Sequence, residues 1–484
     1  MGASLSEHRF DKGKFIAPFN DGIFKEIIQE NPWFYNRLPD YLWLALILDY
    51  YGRADGLLKC RDVLQILLKH VPGISFPKLS IILNLDTELQ TNFYTEIKQV
   101  LAHDVLEPLT AVFTYSHYPS FALAFSNTSK ISDRIKRIND VLHKYYFHQS
   151  NEATDVRYLI AVFLMLDDKL HMPPFQIDNL LKYPTLSHDD IEIQLIRAFI
   201  RALEVGMPDE MTPAKEKYLF DFWDGMSKMS DCSLFYFEID DQCPDANEFM
   251  SQIKNQLNYY IELFQGAHPL DSKMLVLLAM ATYAYKRLLE VVEHDLYNTI
   301  TGRSIVRVLI ENYIMMKYLL KHEAEHKDIW TEYQYYGIGQ YKLVVERFHE
   351  GGAQLPDSHV AYDYIDLIVS EYKNKDFIDM DTTYFDKKKI REKAIDVDEK
   401  DLFGLYYDYD SAFEHGLWGA IRESSLLKCN TPSHQYHCVP DIDNLQKMKS
   451  VWPDCRKMMI KTMALLNSIY GCPEHLLLEG GRNE

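Results

Sequence analysis

The stretch Tyr297–His322, YNTITGRSIVRVLIENYIMMKYLLKH, decides the fold. Ile305, Val306, Val308, Leu309, Ile310, Tyr313, Met315, Met316, Leu319 and Leu320 recur at three- and four-residue spacing. On a helix turning about 100° per residue they cover almost the whole circumference. A helix that is apolar nearly all round belongs inside a bundle. Arg303, Arg307 and Glu311 repeat every four residues on one narrow stripe shared with Ile314 and Tyr318. An unpaired buried charge is costly, so the stripe predicts either a lined polar site or an Arg307–Glu311 pair where the helix emerges into water.

Downstream, Asp401–Leu427 reads DLFGLYYDYDSAFEHGLWGAIRESSLL. As one helix it places Tyr407, Ser411, His415, Trp418 and Arg422 on a single strip, and Gly416 and Ala420 on another face where a neighbour approaches closely. Gly416 and Gly419 each weaken a helix, so this element is expected to be held by packing inside the fold. A lone His on such a face is ordinarily a hydrogen-bonded core residue, with Ser411 as partner and Trp418 as stacking surface. The alternative is a catalytic imidazole. Tyr406, Tyr407 and Tyr409 read as core and interface aromatics.

At 484 residues the chain exceeds the size of one ordinary core, and 47% apolar with 13% aromatic residues supplies two. Residues 1–206 show helical periodicity, with an αα-hairpin across Tyr51-Gly52 and no fixed repeat. Residues 207–247, beginning within GMPDEMTPAKEK at Gly206–Lys217, read as a connector containing one strand-like fragment, Ser233–Ile239. Residues 248–484 form the second domain, a helical bundle, and Lys387, Lys388, Lys389, Arg391 and Lys393 read as a solvated basic face within it. The fold class is all-α.

The balance of 51 basic against 71 acidic residues, net −20, opposes nucleic acid and anionic membrane at long range. No apolar run reaches the length of a membrane span. The N-terminal MGASLS fits an acylation pattern at Gly2 and Ser6 without a supporting basic segment, so it is read as a chance match. Seven scattered cysteines without a C-x-x-C pair, and no signal peptide, imply reduced thiols and a cytoplasmic location. Cys429, His434, His437 and Cys438 crowd into ten residues, with Cys455, Cys472 and His475 nearby. His437 abutting Cys438 breaks the usual paired spacing of zinc ligands, so the loop is read as histidine-rich, with no metal and no cofactor assigned. Phosphate-loop, zincin, nucleophile-elbow and dinucleotide motifs are missing from the sequence.

Arg307-x3-Glu311, KKKIREKA at Lys387–Ala394 and Tyr407-x3-Ser411-x3-His415 together resemble a family of bacterial helical proteins catalogued as a domain of unknown function, number 5677. The resemblance covers about Glu248–Tyr470 and implies a helical bundle with little stated chemistry. A more distant similarity is to the HEPN nucleases, all-α proteins of toxin and phage-defence systems that pair an Arg with a His four to six residues later. That similarity implies a metal-independent ribonuclease in which His moves the proton of the ribose hydroxyl and Arg holds the phosphate. Here the focal order is reversed, His415 before Arg422, and forward spacing occurs only at Arg137–His143 and Arg287–His294.

The expected site is therefore His415, Arg307, Glu311, Ser411 and Arg422, with Arg303 alongside. One function it would serve is cleavage of RNA or single-stranded nucleic acid. The other is a non-enzymatic sensor or scaffold, in which the stripe fixes helix register and the N-terminal helices recruit a protein partner; whether the chain forms an oligomer is left open by the sequence.

Overall fold

The computed structural model describes residues 5–17, 32–187, 189–207, 209–239, 246–267, 271–350, 359–372, 377–444 and 448–478. Gly2, Pro208, Cys243, Pro269 and the Gly480-Gly481 tail lie outside them. The fold is all-α, with a few short strands. No helix of the described residues is long and apolar enough to cross a membrane. The chain divides into two compact units, one of residues 1–235 with 428–437 and one of residues 236–427 with 438–484.

In the first unit the central helix is Leu38–Tyr51, buried at every position from Leu38 to Leu48. That continuity is what an all-round apolar segment requires. Helices Arg53–His70, Ile131–Tyr145 and Asn151–Leu166 pack against it. Within the stretch expected as a connector, Pro213–Met229 is helix instead: Thr212 caps it by accepting the Lys215 amide, and Tyr218, Phe222 and Met226 enter the core. Its polar, proline-bearing start is helix-initiation chemistry, Thr at the cap and Pro at the first turn. Leu234–Phe235 then pairs antiparallel with the strand Leu426–Cys429, Leu234 opposite Cys429 and Phe235 opposite Lys428. Residues 428–437 complete this core, where the Tyr436 ring packs on Phe34 and Tyr146.

Charges run through the first core. Glu204 pairs with Arg37 and, at 3.0 Å, with Arg157. Asp209 stands 2.5 Å from Lys78, 2.6 Å from Lys215 and 3.5 Å from Arg37. All six side chains are nearly closed to solvent.

The second unit is built around Ile300–His322, against which Ser272–Glu293, Ile329–Glu350, Ile390–Asp396, Asp408–Glu414 and Trp452–Tyr470 all pack. Thr299 caps the central helix by accepting the Gly302 amide at 3.1 Å. A Cβ at Gly302 would stand 2.3 Å from the Leu296 carbonyl oxygen, so this first turn admits only glycine. Asp271 caps the preceding helix by accepting the Met274 amide.

Candidate functional site

The Asp401–Leu427 segment is not one helix. A π-turn at Phe403–Tyr407 leads into Asp408–Glu414, and a separate helix, Trp418–Ser424, follows. Gly416, at φ +56°, ends the first helix: its amide donates to Phe413 O and the Leu417 amide donates to Ala412 O. This 5→2 and 6→1 pair is a Schellman cap, in which the left-handed position favours glycine. The strip expected across Tyr407, Ser411, His415, Trp418 and Arg422 is therefore broken after its third member. His415 is the exposed C-cap, Trp418 is 69% exposed, and Arg422 is exposed on the second helix. Among the described residues neither a Ser411 partner nor a Trp418 stack is made by the His415 ring. The Gly-then-apolar pair after His415 was the sequence signal of that cap.

The stripe on the central helix makes its hydrogen bonds inward, with Arg303 Nε and Arg307 Nε left without an acceptor among the described residues. Arg303 is buried; it donates to Thr299 O at 3.1 Å and to Lys449 O at 2.9 Å, and its guanidinium lies 5.2 Å from the Phe413 ring centre. Arg307 donates to the Tyr407 hydroxyl at 3.0 Å with its guanidinium 5.0 Å from that ring centre. Glu311 accepts from the hydroxyls of Tyr384 at 2.9 Å and Tyr407 at 3.4 Å. Burial and the Glu311 charge push both phenols above their usual range, so both keep their protons near neutrality. Arg307, Glu311 and Tyr407 thus come together. The geometry adds Tyr384 and does not draw the exposed His415 and Arg422 into that hydrogen-bonded set.

Two charged side chains outside the expected set are strongly perturbed nearby. Asp410 is buried, and burial pushes its carboxyl up to about 7, with Arg303 opposing and Asp454 assisting. Lys393, read from sequence as part of a solvated face, is fully buried: its ammonium donates to Phe385 O at 2.7 Å and sits 3.9 Å from the Tyr318 ring centre. Its helix is amphipathic, and Lys393 and Ala394 are the buried positions. Burial lowers its pKa to about 8.

A second constellation lies in the first unit. Cys232, just before the strand Leu234–Phe235, meets Cys429, His434 and His437 of the returning segment, with one donor atom from each residue lying within 4.8 Å of all the others. Three of the four residues crowded at 429–438 join this set, and the fourth place is taken by Cys232 rather than Cys438. Cys232 stands 197 positions before Cys429, beyond any local spacing rule. Burial of Cys429 raises its thiol pKa, but the Thr431 amide and the His434 ring outweigh it and hold the thiol below the usual value. His434 and His437 also line a cavity of about 750 Å³ with Tyr35, Leu219, Phe220 and Trp223.

Residues 275–434 match the sequence model of a family of unknown function (DUF5677). The match contains the central helix and the whole stripe, and it ends on His434. No curated protein and no solved structure matches the chain. The likeness to HEPN nucleases rests on residue types alone.

Proposed function

We propose that the chain bearing this family segment is a non-enzymatic helical scaffold that binds an amphipathic helix of a protein partner. The observation that carries the reading is on the helix Ile191–Val205. Its inner face is buried at Ile193, Ile196, Arg197 and Ile200, while Ile191, Leu195, Ala198, Ala202 and Val205 are exposed. Those five positions are spaced four, three, four and three, the seam of a coiled coil. Ile191 is 89% and Leu195 76% exposed. A helix with one apolar face in its own core and a second one in solvent offers a ridge for a partner's apolar face.

The polar stripe supports the same reading, because Arg303, Arg307 and Glu311 spend their hydrogen bonds on tyrosines and carbonyls of the bundle. General acid–base cleavage needs an oriented imidazole, and His415 has no orienting hydrogen bond among the described residues. The test uses the purified chain with end-labelled RNA and single-stranded DNA, beside a folded His415→Gln variant. Intact nucleic acid with both proteins is expected; cleavage by wild type and none by the variant overturns the proposal in favour of a nuclease. In parallel, Leu195→Glu is expected to release the protein that co-purifies with the chain. Loss of a homodimer in its place would identify the partner as a second copy.

A further inference from the structure

We infer that Cys232, Cys429, His434 and His437 form a closed tetrahedral site for a zinc ion, a site independent of the scaffold reading. With metal–sulfur bonds of about 2.3 Å and metal–nitrogen bonds of about 2.0 Å, a tetrahedron sets its sulfurs ~3.8 Å apart and each sulfur ~3.5 Å from a nitrogen. The chain holds Cys232 Sγ 3.7 Å from Cys429 Sγ, Cys429 Sγ 3.6 Å from His434 Nδ1 and Cys232 Sγ 3.2 Å from His437 Nε2. A disulfide would need its sulfurs at about 2.05 Å.

The surroundings are arranged for the same ion. His434 Nε2 is 3.1 Å from both the Ser227 and the Ser230 carbonyl oxygens, so this nitrogen carries the proton and Nδ1 turns its lone pair toward Cys429. That is how the outer contacts of a metal site fix a histidine tautomer. Between the two histidines, Gln435 and Tyr436 both take left-handed backbone angles, φ +54° and +50°. Consecutive non-glycine residues in that region are strained, and here the turn is what brings His437 back beside His434. Thr431 clamps the two ligand-bearing segments together, accepting the Ser233 amide at 3.1 Å and donating to Asp231 O at 2.8 Å. The Thr431 amide donates to Cys429 Sγ at 3.3 Å.

Two thiolates with two imidazoles in tetrahedral array select zinc over hard cations. Binding displaces the two thiol protons to solvent, and the two thiolate charges neutralise the dication. Every coordination position is filled by protein, so the ion is structural and offers no place to a substrate water. Its effect is to fasten residues 428–437 to Cys232.

The test is elemental analysis of the full-length chain, purified under reducing conditions without chelator. One zinc per chain is expected, retained by Cys438→Ser and lost from Cys232→Ser and His437→Ala. Cobalt(II) loaded into chelator-stripped wild type is expected to give the intense visible bands of a tetrahedral site and a thiolate charge-transfer band, which keeps the test intact if a variant misfolds. Hydrogen exchange is expected to speed up in residues 428–437 when zinc is stripped. Three results would each overturn the inference: a folded, reduced wild type with neither stoichiometric zinc nor the cobalt spectrum, full zinc in Cys232→Ser, or a Cys232–Cys429 disulfide in peptide maps.

Discussion

The two units bury charge in opposite ways. In the first, Glu204 and Asp209 are surrounded by Arg37, Arg157, Lys78 and Lys215, cation against anion in a dry core. In the second, Arg303, Arg307, Glu311 and Lys393 meet tyrosine hydroxyls, backbone carbonyls and ring faces. The first arrangement is strong only while every partner is present, because desolvation is repaid by a full set of pairs. In the second, each neutral partner contributes modestly and its loss is correspondingly tolerable.

Substitutions that remove one partner from each unit test that difference. The largest effect is expected for Glu204→Gln, which takes the carboxylate from Arg157 and leaves Arg37 only Asp209 at 3.5 Å, and should cost about 3–5 kcal/mol in denaturant unfolding. A cost below about 1 kcal/mol there would erase the contrast. Next is Asp410→Asn, read as a pH profile. Burial raises the folded pKa of Asp410 from 3.8 to about 7, so the folded state holds the proton more tightly between those values. Stability from this group is complete below the unfolded pKa and is lost as pH rises through the folded one. The variant should therefore be about 3–4 kcal/mol more stable relative to wild type at pH 8 than at pH 4.

Tyr407→Phe removes the hydroxyl that bridges Arg307 and Glu311 and should cost about 1 kcal/mol, since Tyr384 still serves Glu311. The smallest effect is expected at His415→Ala, within about 0.5 kcal/mol, as for other exposed positions without a partner. Sequence periodicity alone argued for a larger cost there, because it placed His415 inside a continuous helix. A measured loss above about 2 kcal/mol would restore that buried role.

What was legible in the chain was local. Apolar spacing located Ile300–His322 to within a few residues, because a helix writes its buried face into three- and four-residue repeats. The stripe of Arg303, Arg307 and Glu311 was visible for the same reason. Its tyrosine partners were not, since Tyr384 and Tyr407 lie 73 and 96 positions from Glu311. Buried charge in the first core was hidden as well: Asp155 and Arg157 find their partners, Arg53 and Glu204, far away in the chain. The Cys/His set failed for a related reason, in that proximity in sequence favoured Cys438 while the chain path brings Cys232.

That path sets an order of events during synthesis. The first unit takes its last piece, residues 428–437, from a part of the chain made almost two hundred residues after Phe235. Tyr436 cannot cover Phe34, nor Ser433 reach Asn139, until the ribosome has passed both residues and all but the end of the second unit has emerged. A nascent chain stopped at Phe235 carries an open seam along Phe34, Tyr146 and Trp223, aromatic surface that a chaperone or a neighbouring chain will find first. For anyone expressing the halves separately, the cut after Phe235 removes part of the first unit, and only a fragment that supplies residues 428–437 in trans restores it.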